Sequence, residues 1–316
     1  MGRSRVSPRH EIRLRGRVVQ TGCIPTSLVE MLRQLLGTGA RQALRLRIEG
    51  RSRAPGEFPM WMGSGALFEP HLEATSVPGH FRIESRPLGQ VLPAELLSGG
   101  PPFDVAPDQT ALSLFEAGLT EALSGATNSP AFDAGLLETF SAFGQLFEQG
   151  VEGIEFVQER VLRVDREAVE RMTHLRHQMP ASRAAWIAGT LDVPRPGHRV
   201  FTLVPRSGAV LKGIAERLEP AWLLALRGKS VVVSGMVAFR PSGAIARILA
   251  EQMHEASARD LELWSGVPGP FWSLPGEGWS RADPETRPSF KALLSSRLEE
   301  DEESEEEFLA ALEELS

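Results

Sequence analysis

Hydrophobic positions along this chain change period several times, and each change marks a predicted element. Over residues 11–21, apolar Ile12, Leu14 and Val18 alternate with polar neighbours, the period-2 signature of a half-buried strand. Ile24-Pro25-Thr26 then opens a helix, because proline lacks only an N–H that the first helical turn leaves unbonded. One face of that helix carries Leu28, Met31, Leu32, Leu35 and Leu36. Gly37 and Gly39 are expected to end or kink it, since each costs about 1 kcal/mol of helix propensity. Ala43, Leu44, Leu46 and Ile48 continue the apolar pattern as far as a loop over 51–59. Val77-Pro78-Gly79 joins two short strands, 72–74 and 81–83, in a hairpin. Helices are predicted over 108–124 and 133–149. The second bears Leu136, Leu137, Phe140, Phe143 and Phe147, a stripe read as core. A strand over 153–162 and an aspartate-capped helix over 165–179 complete a mixed domain spanning residues 10–180.

After the linker Met179-Pro180-Ala181-Ser182 the periodicity turns to β. A strand is predicted where Trp186, Ala188 and Thr190 alternate with Ile187 and Leu191, and two more over 199–204 and 209–214. A short helix follows from Glu219-Pro220 to Gly228, then strands over 230–239 and 245–253, joined by Arg240-Pro241-Ser242-Gly243. Three strands, a helix and two strands is the order of an OB-fold, so residues 183–254 are expected to close into a small OB-like barrel; an SH3-like barrel is the main rival. Gly189 and Gly235 fall inside strands, where barrels bend. The fold class is α+β: an N-terminal mixed α/β domain, a small OB-like β-barrel and a flexible acidic tail.

From residue 255 the pattern dissolves. Trp264, Phe271, Trp272 and Trp279 are spaced by Pro and Gly, a composition that docks on something rather than building a core. Further on, Phe308, Leu312 and Leu315, with Leu309 next to them in sequence, give the apolar side of a short amphipathic helix too brief to persist alone in water. These eight residues are the expected partner-binding set.

Charge sharpens this picture. The net charge of -7 is unevenly spread. Residues 1–53 hold twelve arginines against three glutamates, and residues 1–9 read as a disordered basic stretch; residues 297–316 hold Arg297 against ten acids. The barrel region, 183–254, has ten basic against four acidic residues, a net of +6. Basic OB domains bind single strands through a charged groove with aromatic platforms, so Arg199, Phe201, Lys212, Lys229 and Arg240 are the candidate nucleic-acid residues. A lone cysteine, Cys23, excludes an intramolecular disulfide framework. No apolar run reaches the length of a membrane span, and no signal core follows the basic start; a cytoplasmic protein without membrane contact is expected.

Catalytic chemistry is thin. His174 and His177 lie three apart on one predicted helix without a supporting carboxylate–histidine repeat, and Gly63-Ser64-Gly65 lacks the lysine of a phosphate loop. Cys23 at a helix start has no histidine near it in sequence. No catalytic, metal or cofactor residue is assigned and no cofactor is expected. An enzyme with a site between the two domains is the minor alternative.

Two resemblances add to this reading. Gly189, Leu191, Asp192, Phe201, Leu203, Gly208, Val210, Gly213, Leu226, Gly228, Lys229, Val231, Val233, Gly235, the run Ala238-Phe239-Arg240-Pro241-Ser242-Gly243, and Ile248 form a pattern that resembles the C-terminal domain of a family of uncharacterised bacterial proteins. Phe271-Trp272, the acids over 299–307 and the segment 308–315 are similar to the tail of small antitoxins paired with PIN-domain ribonucleases. Such tails wrap the toxin and often end on an arginine, whereas here none follows Arg297. The resemblance implies a non-catalytic interaction or regulatory protein whose tail binds a basic or toxin-like protein. Nucleic-acid binding by the barrel is the alternative.

Overall fold

A computed structural model describes residues 9–20, 24–54, 71–97, 105–157, 161–193, 195 and 198–270. The basic residues 1–8, Cys23, Gly63-Ser64-Gly65 and everything from Phe271 onward lie outside the described residues. The N-terminal lobe and the barrel belong to one compact unit, Met1–Phe271.

The N-terminal lobe is a five-stranded antiparallel sheet covered on one face by helices. Its strands are β1 (Arg9–Arg15), β2 (His71–Ala74), β3 (His80–Glu84), β4 (Gly153–Val157) and β5 (Val161–Val164), in the order β2-β3-β1-β4-β5. The first predicted strand ends early: Gly16, at φ 133°, breaks it and the short helix α1 (Arg17–Gln20) follows. The strand expected over 153–162 is a hairpin instead, with Val157 opposite Val161. Period-2 burial puts Ile12, Leu14, Phe81, Ile83, Ile154 and Phe156 on the helix side. Arg15, Arg82 and Arg163 fall on the other side and are exposed.

Helix α2 (Thr26–Glu49) runs unbroken through both glycines that were expected to kink it. The reason is tertiary. A Cβ at Gly39 would overlap the ring of Phe115 on α4 (Ala111–Leu123), so the glycine lets the two helices approach closely. Phe115 is the hub of an aromatic cluster, with ring centroids 5.2 Å from Phe140, 6.2 Å from Phe143 and 6.2 Å from Phe156. After the short helix α3 (Ala94–Leu97) and α4, the predicted helix over 133–149 divides into α5 (Ala134–Ser141) and α6 (Gly144–Glu148). Between them the backbone tightens to i→i−3 bonds, Phe143 N–H to Phe140 O and Leu146 N–H to Phe143 O, which keeps Phe143 and Phe147 facing the core. Helix α7 (Arg166–His177) starts at the predicted cap, with Asp165 accepting from Ala168 N–H at 3.0 Å. The opposite side of α2 carries Leu44 and Ile48 into a second small cluster with Leu88, Leu92 and Leu96.

The barrel consists of β6 (Arg183–Asp192), β7 (Val200–Val204), β8 (Leu211–Ile214), α8 (Pro220–Ala225), β9 (Ser230–Phe239) and β10 (Ile245–Glu255). Its strands close in the order β10-β8-β7-β6-β9, with β10 antiparallel to β9 and parallel to β8. That cyclic order, with a helix between the third and fourth strands, is the OB arrangement predicted from the sequence. Its core (Ile187, Leu191, Phe201, Leu203, Val231, Val233, Ile248 and neighbours) is a cluster separate from those of the N-terminal lobe. The chain does not lose regular structure at residue 255 as expected: helix α9 (Ala258–Leu263) follows β10 directly.

Candidate functional site

The root of the C-terminal stretch is built onto the barrel wall. Ser257 and Asp260 form a capping box that starts α9, and the two hydrogen bonds from Ser257 hold the Asp260 carboxyl below its usual range. At the end of the helix, Trp264 N–H donates to Asp260 O at 2.9 Å, and Trp264 O accepts from Ala188 N–H of β6 at 2.8 Å. The Trp264 ring lies on that of Trp186, with centroids 5.6 Å apart and planes inclined by 31°. Arg183 Nη1 donates to Gly269 O at 2.9 Å, so residues 264–269 follow the edge of β6. Trp186 is 50% exposed and Trp264 36%, with Leu263 and Val267 also exposed beside them in sequence. Of the expected partner-binding residues, Trp264 is placed here; Phe271, Trp272, Trp279, Phe308, Leu309, Leu312 and Leu315 lie outside the described residues. Trp186, which anchors the pair, was not among them, because alternation within a strand shows that it faces outward but not what it meets.

The five candidate nucleic-acid residues do not form one face. Phe201 is fully buried, and its ring fills the space where a Cβ of Gly213 would be, so it presents no stacking surface. Lys212 is also buried, paired across the ladder with Thr202. Arg199 donates to the backbone oxygen of Glu216. Lys229 pairs with Glu255 at 2.9 Å just before β9 begins. Arg240 stands just past the other end of β9, roughly 30 Å away along a strand of this length.

OB barrels hold oligonucleotides with the face of strands 2 and 3 and with the loops joining strands 1–2 and 4–5. In this chain both loops meet the N-terminal lobe. Between β6 and β7, buried Arg195 donates from Nη1 to Ile48 O at 2.9 Å and from Nη2 to Leu96 O at 3.0 Å. Those carbonyls sit in the last turns of α2 and α3, where helices leave oxygens unbonded and the dipole favours a cation. Between β9 and β10, Arg240 Nη1 donates to Asn128 O at 3.1 Å and Oδ1 at 3.0 Å, and Ser242 N–H donates to Thr127 O at 3.0 Å. Burial pulls the Arg240 guanidinium below its ordinary range.

Two ion pairs flank these contacts. Arg247 of β10 lies 3.1 Å from Asp133, which also caps α5 through Leu136 N–H and accepts from Ser52. Arg51 bonds Glu216, whose carboxyl falls below its usual range mainly through that bond. His198 is held below its ordinary value first by burial and then by the charge of Arg195. Ionisable groups therefore do gather between the lobes, where an interdomain enzyme would place its site. Asp133, Arg195, Arg240 and Arg247 are all engaged in cross-lobe hydrogen bonds. Two open clefts, of about 490 and 500 Å³, lie beside α7, and neither is lined by a barrel residue.

One further polar group escaped sequence reasoning. His10 Nδ1 lies 2.9 Å from Glu116 Oε2, and its Nε2 lies 3.1 Å from Thr110 Oγ1. A hydroxyl–imidazole–carboxylate order suggests nucleophilic catalysis. Thr110, however, is 1% exposed and its hydroxyl already caps α4 by accepting from Ser113 N–H at 2.9 Å. The trio pins β1 to the start of α4. Nothing local in sequence marks it, since the partners lie a hundred or more residues apart.

His174 and His177 both stand on the exposed side of α7, and His174 meets Gln178 at 2.9 Å. Among the described residues no three metal-ligating side chains converge, and no helix is long and apolar enough to cross a membrane. No protein-family model, curated protein or solved structure matches this chain.

Proposed function

We propose that this chain is a non-catalytic interaction protein that takes a protein partner through the stretch beginning at Trp264, in the manner of the antitoxins its tail resembles. The observation that carries this reading is the seat of Trp264. A half-exposed tryptophan pair is fixed to β6 at the head of that stretch. Anchoring one end of a binding segment reduces the ordering entropy that a partner must overcome. The segment then supplies Phe271, Trp272 and Trp279, an acidic run and the apolar side Phe308, Leu312 and Leu315. A fitting partner has an apolar groove bordered by Lys and Arg, which an amphipathic helix enters by the side carrying its spaced anchors.

The test is co-expression with the product of the neighbouring gene. Truncation after Leu263 and the double substitution Phe308→Asp/Leu312→Asp should each abolish co-purification. The double variant should melt as the parent does. Retention of the partner by both variants refutes the reading. A nucleic-acid role for the barrel carries a separate condition: the arginines of its loops would first have to leave the N-terminal lobe.

A further inference from the structure

We infer that the N-terminal lobe occupies the barrel's oligonucleotide-binding loops as an internal competitor, so that single-stranded nucleic acid and the lobe junction exclude each other. The inference is independent of the tail reading. It rests on which groups meet across the junction. The apolar core of the barrel shares no member with the clusters of the N-terminal lobe. The contacts at the loops are polar instead: Arg195 on two helix-terminal carbonyls, Arg240 on Asn128, and Arg247 on Asp133. Three guanidinium groups thus face oxygen atoms of the lobe, the chemistry with which arginine grips phosphate. Polar inter-domain interfaces are the kind that separate, unlike a shared apolar core.

A phosphate backbone displaces such contacts on equal terms, charge-assisted hydrogen bond for charge-assisted hydrogen bond. Because Phe201 is buried, no base-stacking platform comes from that position. Binding would therefore be insensitive to base sequence and steep in salt. Three released arginines imply a slope of log K against log salt of about −2, at roughly −0.7 per single-strand phosphate.

The test uses full-length protein and fluorescence anisotropy with an oligothymidylate of about 12 nucleotides, within the span one OB barrel holds. The opened variant is Asp133→Asn/Asn128→Ala/Glu216→Gln. Asparagine preserves the α5 cap while turning an amide towards Arg247, and the other two changes remove the side-chain acceptors of Arg240 and Arg51, leaving Arg240 only the backbone oxygen of residue 128. Glu251→Gln/Glu262→Gln, at exposed positions, matches its charge with the junction intact. The opened variant should bind about tenfold tighter than the matched control near 50 mM salt, with the slope given above. Equal affinity of the two proteins overturns the inference, and so does absence of binding by both.

Discussion

Replacing Gly39 by alanine sets two effects of opposite sign against each other at one position. On helix propensity alone the change stabilises α2 by about 1 kcal/mol. The new methyl group, however, would overlap the Phe115 ring, and that ring has nowhere to go. It is fully buried and hemmed by Phe140 at 5.2 Å and by Phe143 and Phe156 at 6.2 Å. Overpacking costs about 1–3 kcal/mol where side chains can adjust, and a ring locked among three others belongs above the middle of that range or beyond it. The expected net is a loss of about 2 kcal/mol, packing outweighing propensity. Urea unfolding followed by far-ultraviolet circular dichroism measures it. Phe115→Leu in the same background opens room for the methyl group, so the double variant should lose less than the sum of the singles by at least about 0.5 kcal/mol. A Gly39→Ala protein as stable as the parent, or strictly additive losses, refutes the claim that the glycine serves the α2–α4 approach.

Three other outcomes follow from the same contacts. Arg195→Lys puts a point charge where a fork reached two carbonyls, so at least one of Ile48 O and Leu96 O loses its partner; the loss, about 1.5–3 kcal/mol, is read from thermal melts. His10→Ala strips the imidazole from buried Glu116 and Thr110 and should cost about 3 kcal/mol, with His10→Gln recovering part because its amide still offers hydrogen bonds; equal losses would show that packing, not polar pairing, sets the cost. Acid sensitivity should fall in two windows. The folded-state pKa of Glu216 lies below the ordinary 4.5, so its contribution is present above that value and lost as pH drops through the folded one; Glu216→Gln should flatten stability there. The folded pKa of His198 lies below 6.5, so the unfolded chain takes its proton first on acidification and stability falls below pH 6.5; His198→Gln should remove that earlier limb.

The barrel was legible in the sequence because every cue it used is local. The β-branched run of β9 matches its predicted bounds to the residue, and the strand–helix count suffices to name the OB order. The in-strand glycines Gly189 and Gly235, read from the sequence as bends, stand where neighbouring strands crowd the backbone. The N-terminal lobe was legible in its helices and hairpin but not where tertiary contacts overrode local preference. Gly39 reads as a breaker unless Phe115, 76 positions later, is already in view. The turn between β4 and β5 was missed because Val157 and Val161 share one apolar period with no glycine or proline between them. That Trp264 meets Trp186 was not legible, because the two lie 78 positions apart and only the fold brings their rings together.

Charge was the least legible property, and the reason is physical. A count of ten basic against four acidic residues describes the barrel as a free-standing body. Its field, however, depends on where the guanidinium groups point. Arg195, Arg240 and Arg247 are oriented by carbonyl and carboxylate oxygens of another lobe, and Arg227 and Lys229 lie 3.0 and 2.9 Å from Asp192 and Glu255 of the barrel itself. Arg247, Arg227 and Lys229, each held against a carboxylate, contribute little at long range, because each pair presents a dipole that salt screens within about 10 Å, whereas Arg195 and Arg240 keep their charge but commit their hydrogen bonds to neutral oxygens of the other lobe. The same arginines become a binding surface only if their oxygens are exchanged for others. Net charge therefore sets which ligands could compete, and the junction sets whether they can. Among the described residues the tryptophan pair faces outward on the barrel wall and stays half-exposed, and for that reason the interaction reading begins there.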